Sequence, residues 1–333
     1  MSAALVPHRT GSSPERRCQL LASPGPLPTG WPAAVPRLLR RCTFPAKGEE
    51  APCAVSGGAD SLAMFALAVA AGCRAHAVHV DHGLRTTGEA DAGVVEAAAH
   101  RLGATFEVVK VEVAAGPNLE ARARAARYGA LPEGVLVAHT ADDLAETLLL
   151  NLLRGAGAEG LGGLRAEGGG PRRARRPILK LRRAETAALV AALGLTVATD
   201  ESNFDPSFRR NRVRHEVLPL LADVSGRDPV PVLARTAALL AADAALLSEL
   251  AGELDPTDTR SLRSAPRALA SRALRAWLRA EEGVELHPPS SDDIERAWAV
   301  VTGQAKACEI AGGKRLSRRA GRLRLEAGRL AGP

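Results

Sequence analysis

Aromatic residues are scarce in this chain. Phe, Trp and Tyr make up 3% of its 333 residues, and Tyr128 is the one tyrosine. The core must therefore be filled by Ala, Leu and Val, which an apolar content of 46% allows. The cysteines, Cys18, Cys42, Cys53, Cys73 and Cys308, are scattered and form no CxxC pair. That excludes a zinc knuckle, a clustered iron–sulfur ligand set and a dithiol redox motif, and makes a reducing cytoplasm the expected location. No uncharged apolar run approaches roughly eighteen residues, so no transmembrane helix is expected. The arginine-bearing N-terminus lacks an apolar stretch and cleavage site, so no secretory signal is expected. There is no GxxxxGK[ST], which excludes a Walker-type phosphate loop.

The chain does have an excess of positive charge, +7 with a pI near 9.6, which favours a polyanionic partner. Its length suits one large α/β domain and a smaller one. Residues 1–47 are rich in Pro, Arg, Ser and Gly without periodicity and read as a disordered lead-in, with 35–39 a candidate short helix. From Cys53 strands alternate with helices. Strands are expected at 53–55, 75–80, 105–113 and 135–138, and helices at 62–71, 89–102, 119–131 and 142–154. That alternation predicts βαβ units in a doubly wound parallel sheet, with ligands beyond the carboxyl ends of the strands. A Gly- and Arg-rich loop spans 155–177, helices follow at 183–193 and 208–221, and 228–231 reads as a linker. The remainder is mainly helical, at 232–254, 262–280 and 291–301, with a terminal hairpin turning at Gly312-Gly313. The expected domains are 48–225 and 226–333.

The sequence oddities fall at strand ends. Ser56-Gly57-Gly58-Ala59-Asp60-Ser61 stands between a strand and a helix. Two glycines let successive N–H groups converge on an anion, the helix start adds positive potential, and Ser56 and Ser61 add hydroxyl donors. Asp60 would repel phosphate directly, so on a solvent-facing loop it suits Mg²⁺. The alternative is a glycine turn with a polar cap. Asp81-His82-Gly83 follows the second strand. Glu120, Arg124 and Arg127 lie near one helix face. His139-Thr140-Ala141-Asp142-Asp143-Leu144-Ala145-Glu146-Thr147 puts two carboxylates at a helix start, where the dipole stabilises them. Arg210 and Arg214 share a face at i, i+4, suited to phosphate contact or to a solvated basic surface. Gly155, Gly157 and Gly160 spell GxGxxG but follow a helix, so they are not a dinucleotide fingerprint.

The hexapeptide resembles the PP-loop of the ATP-pyrophosphatases. Within that superfamily the chain resembles the tRNA(Ile)-lysidine synthases through Asn118, Glu120, Arg124, Arg127-Tyr128, the H-x-x-D-D-x-x-E-T segment, Arg176-Pro177-Ile178-Leu179, and Asp200, Asn203, Asp205, Phe208, Arg210-Asn211, Arg214 and Leu218-Pro219-Leu220. These occur in family order over residues 51–222. Beyond Asp228 the likeness weakens to Gly312-Gly313-Lys314-Arg315.

The resemblance implies an adenine nucleotide α-hydrolase-like fold. It also implies a ligase that joins L-lysine to C2 of the wobble cytidine of tRNA(Ile) with a CAU anticodon, changing the codon read from AUG to AUA. The C2 oxygen attacks the α-phosphate of ATP, releasing pyrophosphate. The ε-amine of lysine then attacks C2 and AMP leaves. By the same resemblance Ser56, Gly57, Gly58, Ala59, Asp60, Ser61 and His82 bind ATP, and Asp60 holds Mg²⁺. Asp142 and Asp143 take lysine, and Asp60, Asp142, Asp143, Arg124 and Arg127 serve catalysis. Arg210, Asn211, Arg214, Lys314 and Arg315 contact tRNA or nucleotide. By their charge, Arg172, Arg173, Arg175, Arg176, Arg318 and Arg319 are expected as further tRNA phosphate contacts. A tRNA 2-thiocytidine synthase and a non-catalytic nucleotide- or RNA-binding module remain as alternatives. Oligomeric state is open, a homodimer among the outcomes.

Overall fold

The strands alternate buried and half-buried positions, and apolar helices cover both faces of the sheet they form. The computed structural model describes residues 16–19, 30–81, 88–113, 119–164, 166, 171–198, 205–280, 289–310 and 312–327. They fall into two compact units, 1–238 and 239–333, described separately here. In the first, β2 (Glu50–Ala54), β3 (Arg74–Asp81) and β4 (Thr105–Lys110) are parallel, and β1 (Arg16–Gln19) runs antiparallel on the free edge of β4. The strand expected at 135–138 is reduced to single parallel bridges, Cys53 to Leu136 and Leu136 to Arg175, which extend the sheet past β2.

Alternation along the strands sorts side chains to two faces. Ala51, Cys53, Ala75, Ala77 and Phe106 are buried in one cluster with α1 (Val35–Leu39), α2 (Ala59–Ala70), α3 (Gly88–Leu102) and α7 (Arg183–Ala192). Val78 and Val109 face the other way, against Tyr128 of α4 (Leu119–Ala130) and Leu131, Val135 and Val137. The sheet is therefore doubly wound, as the βαβ pattern predicts. α5 (Ala141–Leu153) follows, ended at Gly155 with φ 71°, and then α6 (Ala158–Leu161). Gly155 thus terminates a helix and does not open one.

Three local expectations change. Residues 30–47 belong to the folded unit rather than to a disordered lead-in: Val35 and Leu38 of α1 are buried in the main core, and Arg41 grips Glu185 of α7 at 2.7 and 2.9 Å. The helix expected over 208–221 is α8 (Arg209–Arg212), a π-helical turn (Val213–Val217) and α9 (Leu218–Ser225). The Leu218 N–H reaches back five residues to the Val213 carbonyl. Pro219 next to it has no N–H to continue the α-helical ladder, which accounts for the widened turn. The unit division falls at Ala238/Leu239, inside α10 (Val230–Gly252), rather than at 225/226. By length and composition alone α10 is apolar enough to cross a membrane, the one such helix among the described residues; Arg235, Asp243 and Glu249 lie along it, so it contains no uncharged apolar run of the expected spanning length.

The second unit packs α11 (Thr259–Ser264), α12 (Arg267–Ala280) and α13 (Ser291–Thr302) with an antiparallel sheet of β5 (Ala307–Ile310), β6 (Lys314–Arg319) and β7 (Arg322–Ala327). Leu262, Leu274, Leu278, Ile294, Val300, Leu316 and Leu323 form its core. The helix expected over 262–280 breaks at Ala265, held extended at ψ 156° by the following Pro266.

Phe65 of α2 is fully buried against the sheet. Phe65→Ala should cost about 3–5 kcal/mol, read as a lowered denaturant midpoint in equilibrium unfolding. A midpoint equal to wild type would contradict this assignment of the core.

Candidate active site

At the carboxyl end of β2 the chain turns through Ser56-Gly57-Gly58 into α2. Gly57 has φ +88°, and a Cβ there would stand 2.9 Å from the Ala198 Cβ, so both the turn and the close approach require glycine. The loop is closed from within. Ser61 Oγ accepts the Ser56 N–H at 3.2 Å and donates to the Gly58 carbonyl at 2.8 Å, while Ser56 Oγ lies 3.3 Å away. Ser56 stays exposed. Backbone N–H groups, a hydroxyl and the start of a twelve-residue helix thus surround one spot, the arrangement that binds phosphate. Asp60 is not on a solvent-facing loop. It lies in the first turn of α2 with its side chain 23% exposed.

α5 supplies the facing wall. Thr140 caps it: its hydroxyl accepts the Asp143 N–H at 3.4 Å, while Asp143 Oδ2 accepts the Thr140 N–H and O–H, both at 2.8 Å. Capping uses only that one oxygen. Asp143 Oδ1 points instead at Arg183, 3.1 Å, and Arg210, 3.5 Å. One turn on, the fully buried Glu146 collects three arginines. Arg183 Nη1 is at 3.0 Å, Arg210 Nε at 2.8 Å, and Arg214 reaches it through Nε at 2.8 Å and Nη2 at 3.2 Å. Asp142 is gripped by Arg182 through Nε, 3.0 Å, and Nη2, 3.1 Å, and accepts the Arg183 N–H at 2.9 Å; Asp228 binds the same Arg182. Four carboxylates, Asp60, Asp142, Asp143 and Glu146, thus meet four guanidiniums, Arg182, Arg183, Arg210 and Arg214.

Arg183 is the joint of this network. Each of its three nitrogens contacts a different carboxylate: Nη1 Glu146, Nη2 Asp143, and Nε Asp60 at 3.5 Å. Thr186, one turn along α7, donates to the other Asp60 oxygen. Burial alone would raise the carboxyls of Asp142, Asp143 and Glu146, but the facing arginines outweigh it and hold all three below the ordinary range. For Asp60 burial wins over Thr186 and Arg183, with Asp143 adding to it, and the carboxyl is raised. His139, ahead of the cap, is pushed down to about 4, first by burial and then by Arg176, Arg210 and Arg124 against the pull of Asp143. Its Nδ1 accepts from Arg176 Nε at 3.2 Å, so the neutral ring carries its proton on Nε2.

The other expected residues are placed differently. Arg124 and Arg127 stand on α4 with guanidinium carbons 5.1 and 5.5 Å from the Tyr128 ring centroid, a cation–π arrangement. Asn211 is buried and donates to the Asp205 carbonyl at 2.9 Å, so it offers no surface contact. Arg176 is 5% exposed, and burial removes it from any set of tRNA phosphate contacts. Arg172 is turned onto α4, where it donates to the Tyr128 carbonyl at 3.2 Å. Arg315, Arg318 and Arg319 are exposed on β6, with Lys314 half-buried. His82, Asn118, Asp200 and Asn203 lie outside the described residues. Composition and spacing gave no role to Arg182, Arg183, Glu146 or Thr186. A signal was nevertheless present: Arg182-Arg183 places two cations at a helix start, against the dipole, which makes sense only with acids facing them.

The donor chemistry fits a divalent ion held jointly with a nucleotide. Asp60 and Asp143 meet on one guanidinium beside a phosphate-sized loop, and Mg²⁺ is bound by one or two carboxylates together with substrate phosphates. Among the described residues no three acidic, His or Cys side chains gather into a self-sufficient metal site. Burial raises the thiols of Cys42, Cys53, Cys73 and Cys308, Cys42 to about 12, so none is a poised thiolate.

This loop, sheet and acidic helix start are those of a PP-loop ATP-binding protein, and residues 35–221 match the family model of the PP-loop domain. Among curated relatives, the tRNA(Ile)-lysidine synthase of Nocardia farcinica is 45% identical over 241 residues, 68% of this chain and 74% of that one. That of Salinispora arenicola is 41% identical over 318 residues, 87% and 95% of the two chains, and that of Corynebacterium glutamicum 36% identical over 301, 86% and 93%. The chain belongs to the tRNA(Ile)-lysidine synthase family.

Removing one partner of the buried cluster should leave uncompensated charge. Glu146→Gln should lower stability at neutral pH by about 3–5 kcal/mol. Asp142, Asp143 and Glu146 have folded pKa values below their unfolded ones, so their contribution is present above about pH 4 and lost as pH falls through the folded values. Asp60 runs the opposite way and offsets part of this. Wild-type stability should therefore fall on acidification below about pH 5, and the fall should be shallower in Glu146→Gln. Urea unfolding from pH 3 to 7 checks both; parallel pH curves for the two proteins would refute the hub role of Glu146.

Proposed function

We propose that this protein joins L-lysine to C2 of the wobble cytidine of tRNA(Ile) with a CAU anticodon, consuming ATP and releasing AMP and pyrophosphate. The reading is carried by membership of the lysidine synthase family over most of the chain, together with a phosphate loop that faces an acid–guanidinium cluster. The loop 56–61 receives the phosphates through backbone N–H groups, the Ser56 hydroxyl and the start of α2. Asp60 and Asp143 would hold Mg²⁺ together with those phosphates, and the ion would supply positive charge to the phosphate oxygens.

The cytidine C2 oxygen attacks the α-phosphorus and pyrophosphate leaves. The lysine ε-amine, once deprotonated, attacks C2, and AMP leaves with the former base oxygen. An unpaired anticodon base can be splayed into such a site. For the amine, Asp143 is the better acid of the two expected. The oxygens of Asp142 are committed to Arg182 and to the Arg183 backbone, so Asp142 positions the start of α7. Asp143 Oδ1 is held only by side chains, Arg183 and Arg210, which can give way to the amine once pyrophosphate has left. Arg124 and Arg127 of α4 would add positive charge for the phosphates from their places over Tyr128. Arg315, Arg318 and Arg319, with Lys314, supply tRNA phosphate contacts. A 2-thiocytidine synthase is disfavoured by four thiols all shifted away from reactivity.

Labelled lysine, ATP and an unmodified CAU-anticodon isoleucine tRNA should give label in the tRNA that resists the mild alkali which strips aminoacyl esters. Asp60→Asn should abolish incorporation in a folded protein. Neutralising Lys314 and Arg315 should raise the tRNA KM, leave ATP affinity unchanged and flatten the salt dependence by roughly one log–log unit per lost phosphate contact. Transfer of sulfur but never of lysine would replace this reading with the thiolase one.

A further inference from the structure

Arg183 occupies the place of a cation. Its three nitrogens each contact one of Asp60, Asp143 and Glu146, at 3.5, 3.1 and 3.0 Å, and its side chain is only 28% exposed. Two of those acids have other cations. Glu146 is held by Arg210 and Arg214 as well, and Asp143 lies 3.5 Å from Arg210. Asp60 has no second cation among the ion pairs of the described residues, only the hydroxyl of Thr186. The contacts of Arg183 are thus unequal. The bond to Asp60 is the longest of the three, and Asp60 has the fewest cationic partners of the cluster.

A divalent ion bridging Asp60 Oδ2 and Asp143 Oδ1 would stand against the guanidinium of Arg183 that already contacts both oxygens, and the two cations would repel each other at that range. Yet a nucleotide's phosphates, arriving at the loop just before Asp60, give the guanidinium an alternative partner of matching planar geometry. We propose that Arg183 is a cation placeholder and positioning residue. In the nucleotide-free protein it neutralises Asp60 and Asp143. When nucleotide and Mg²⁺ bind together, its Nε and Nη2 turn from these acids to the phosphates, and Nη1 keeps its hold on Glu146.

The consequence is ordered cation loading. Free Mg²⁺ must compete with an internal guanidinium, whereas Mg²⁺ arriving with phosphate does not. The site is thereby kept from filling with a metal before ATP is present. This inference rests on the reading of the loop as an ATP site, but its first test needs no nucleotide.

Mn²⁺ binding to the full-length protein, followed by electron paramagnetic resonance of the free ion, tests it. Without nucleotide, wild type should bind Mn²⁺ weakly. Arg183→Gln should bind it about ten-fold more tightly or better, the effect of freeing charge-assisted contacts worth a decade in affinity. Adding Asp60→Asn to that variant should erase the gain. Arg183→Lys keeps a positive charge without the three-pronged fork and should show a smaller gain. Thermal melts establish which variants are folded. A purely structural arginine would shift the melts without raising Mn²⁺ affinity. Equal Mn²⁺ affinity in wild type and in either folded variant overturns the placeholder. With a non-hydrolysable ATP analogue present, wild type should bind Mn²⁺ far more tightly than without it, and Arg183→Gln should lose most of that synergy. An analogue that does not bind wild type at all would sink the ATP reading instead, leaving the nucleotide-free comparison to decide the role of Arg183.

Discussion

The fully buried carboxylate of Glu146 is the constraint around which the site is built. A carboxylate removed from water is costly unless its lone pairs and charge are both met. Here three guanidiniums meet it, from α7, from α8 and from the π-helical turn that follows. Because these elements are separated in sequence by up to 68 residues, satisfying one side chain fixes three backbone segments against α5. Arg210 and Arg214 both reach it because helical i, i+4 spacing puts them on one side, and the π turn adjoining Pro219 begins between them. Arg183 and Arg210 also hold Asp143, and Arg183 carries the network across to Asp60 at the end of the phosphate loop. Glu146 is thus tied to Asp60 through the shared guanidinium of Arg183.

Much of this was legible in the sequence because it is local. The Ser56–Ser61 turn, the two glycines and the helix after them follow from short-range rules, as does the Thr140 cap of α5. The two-faced sheet follows from alternation along 75–80 and 105–111. The partnerships across the chain were not legible. Nothing in the spacing of Asp142, Asp143 and Glu146 says which acid caps, which braces and which faces a ligand. That depends on where α7 docks, and its docking depends on α1 through the Arg41–Glu185 pair, in a stretch whose Pro- and Arg-rich composition read as disordered.

The misplaced expectations share a cause. Asn211 and Arg176 were read as contacts for a polyanion because they are polar and lie within family motifs. Both are buried and serve backbone or neighbouring side chains. The strand at 135–138 was drawn from a continuous apolar run, yet only Leu136 makes bridges. Apolar runs report burial reliably and pairing only where neighbours are in register: Leu136 bridges Cys53 of β2 on one side and, on the other, only Arg175.

A site with four carboxylates and four guanidiniums is close to neutral while being densely charged. Such a site costs little to keep empty, since each charge has a partner and none must draw in a counterion. It also suits a reaction whose participants differ in sign, a nucleotide that is strongly negative and an amine that is positive. Under the proposed reaction, each arriving charge would find an opposite one already oriented and released by its former partner. The backbone arrangement supports this. Asp60, Asp143 and Arg183 all stand in the first turns of helices, and capping boxes at Thr140 and Arg182 hold the starts of α5 and α7. Rigid helix starts with exchangeable charged tips are what a two-step transfer needs, because the second nucleophile must find the same geometry after the first leaving group has gone.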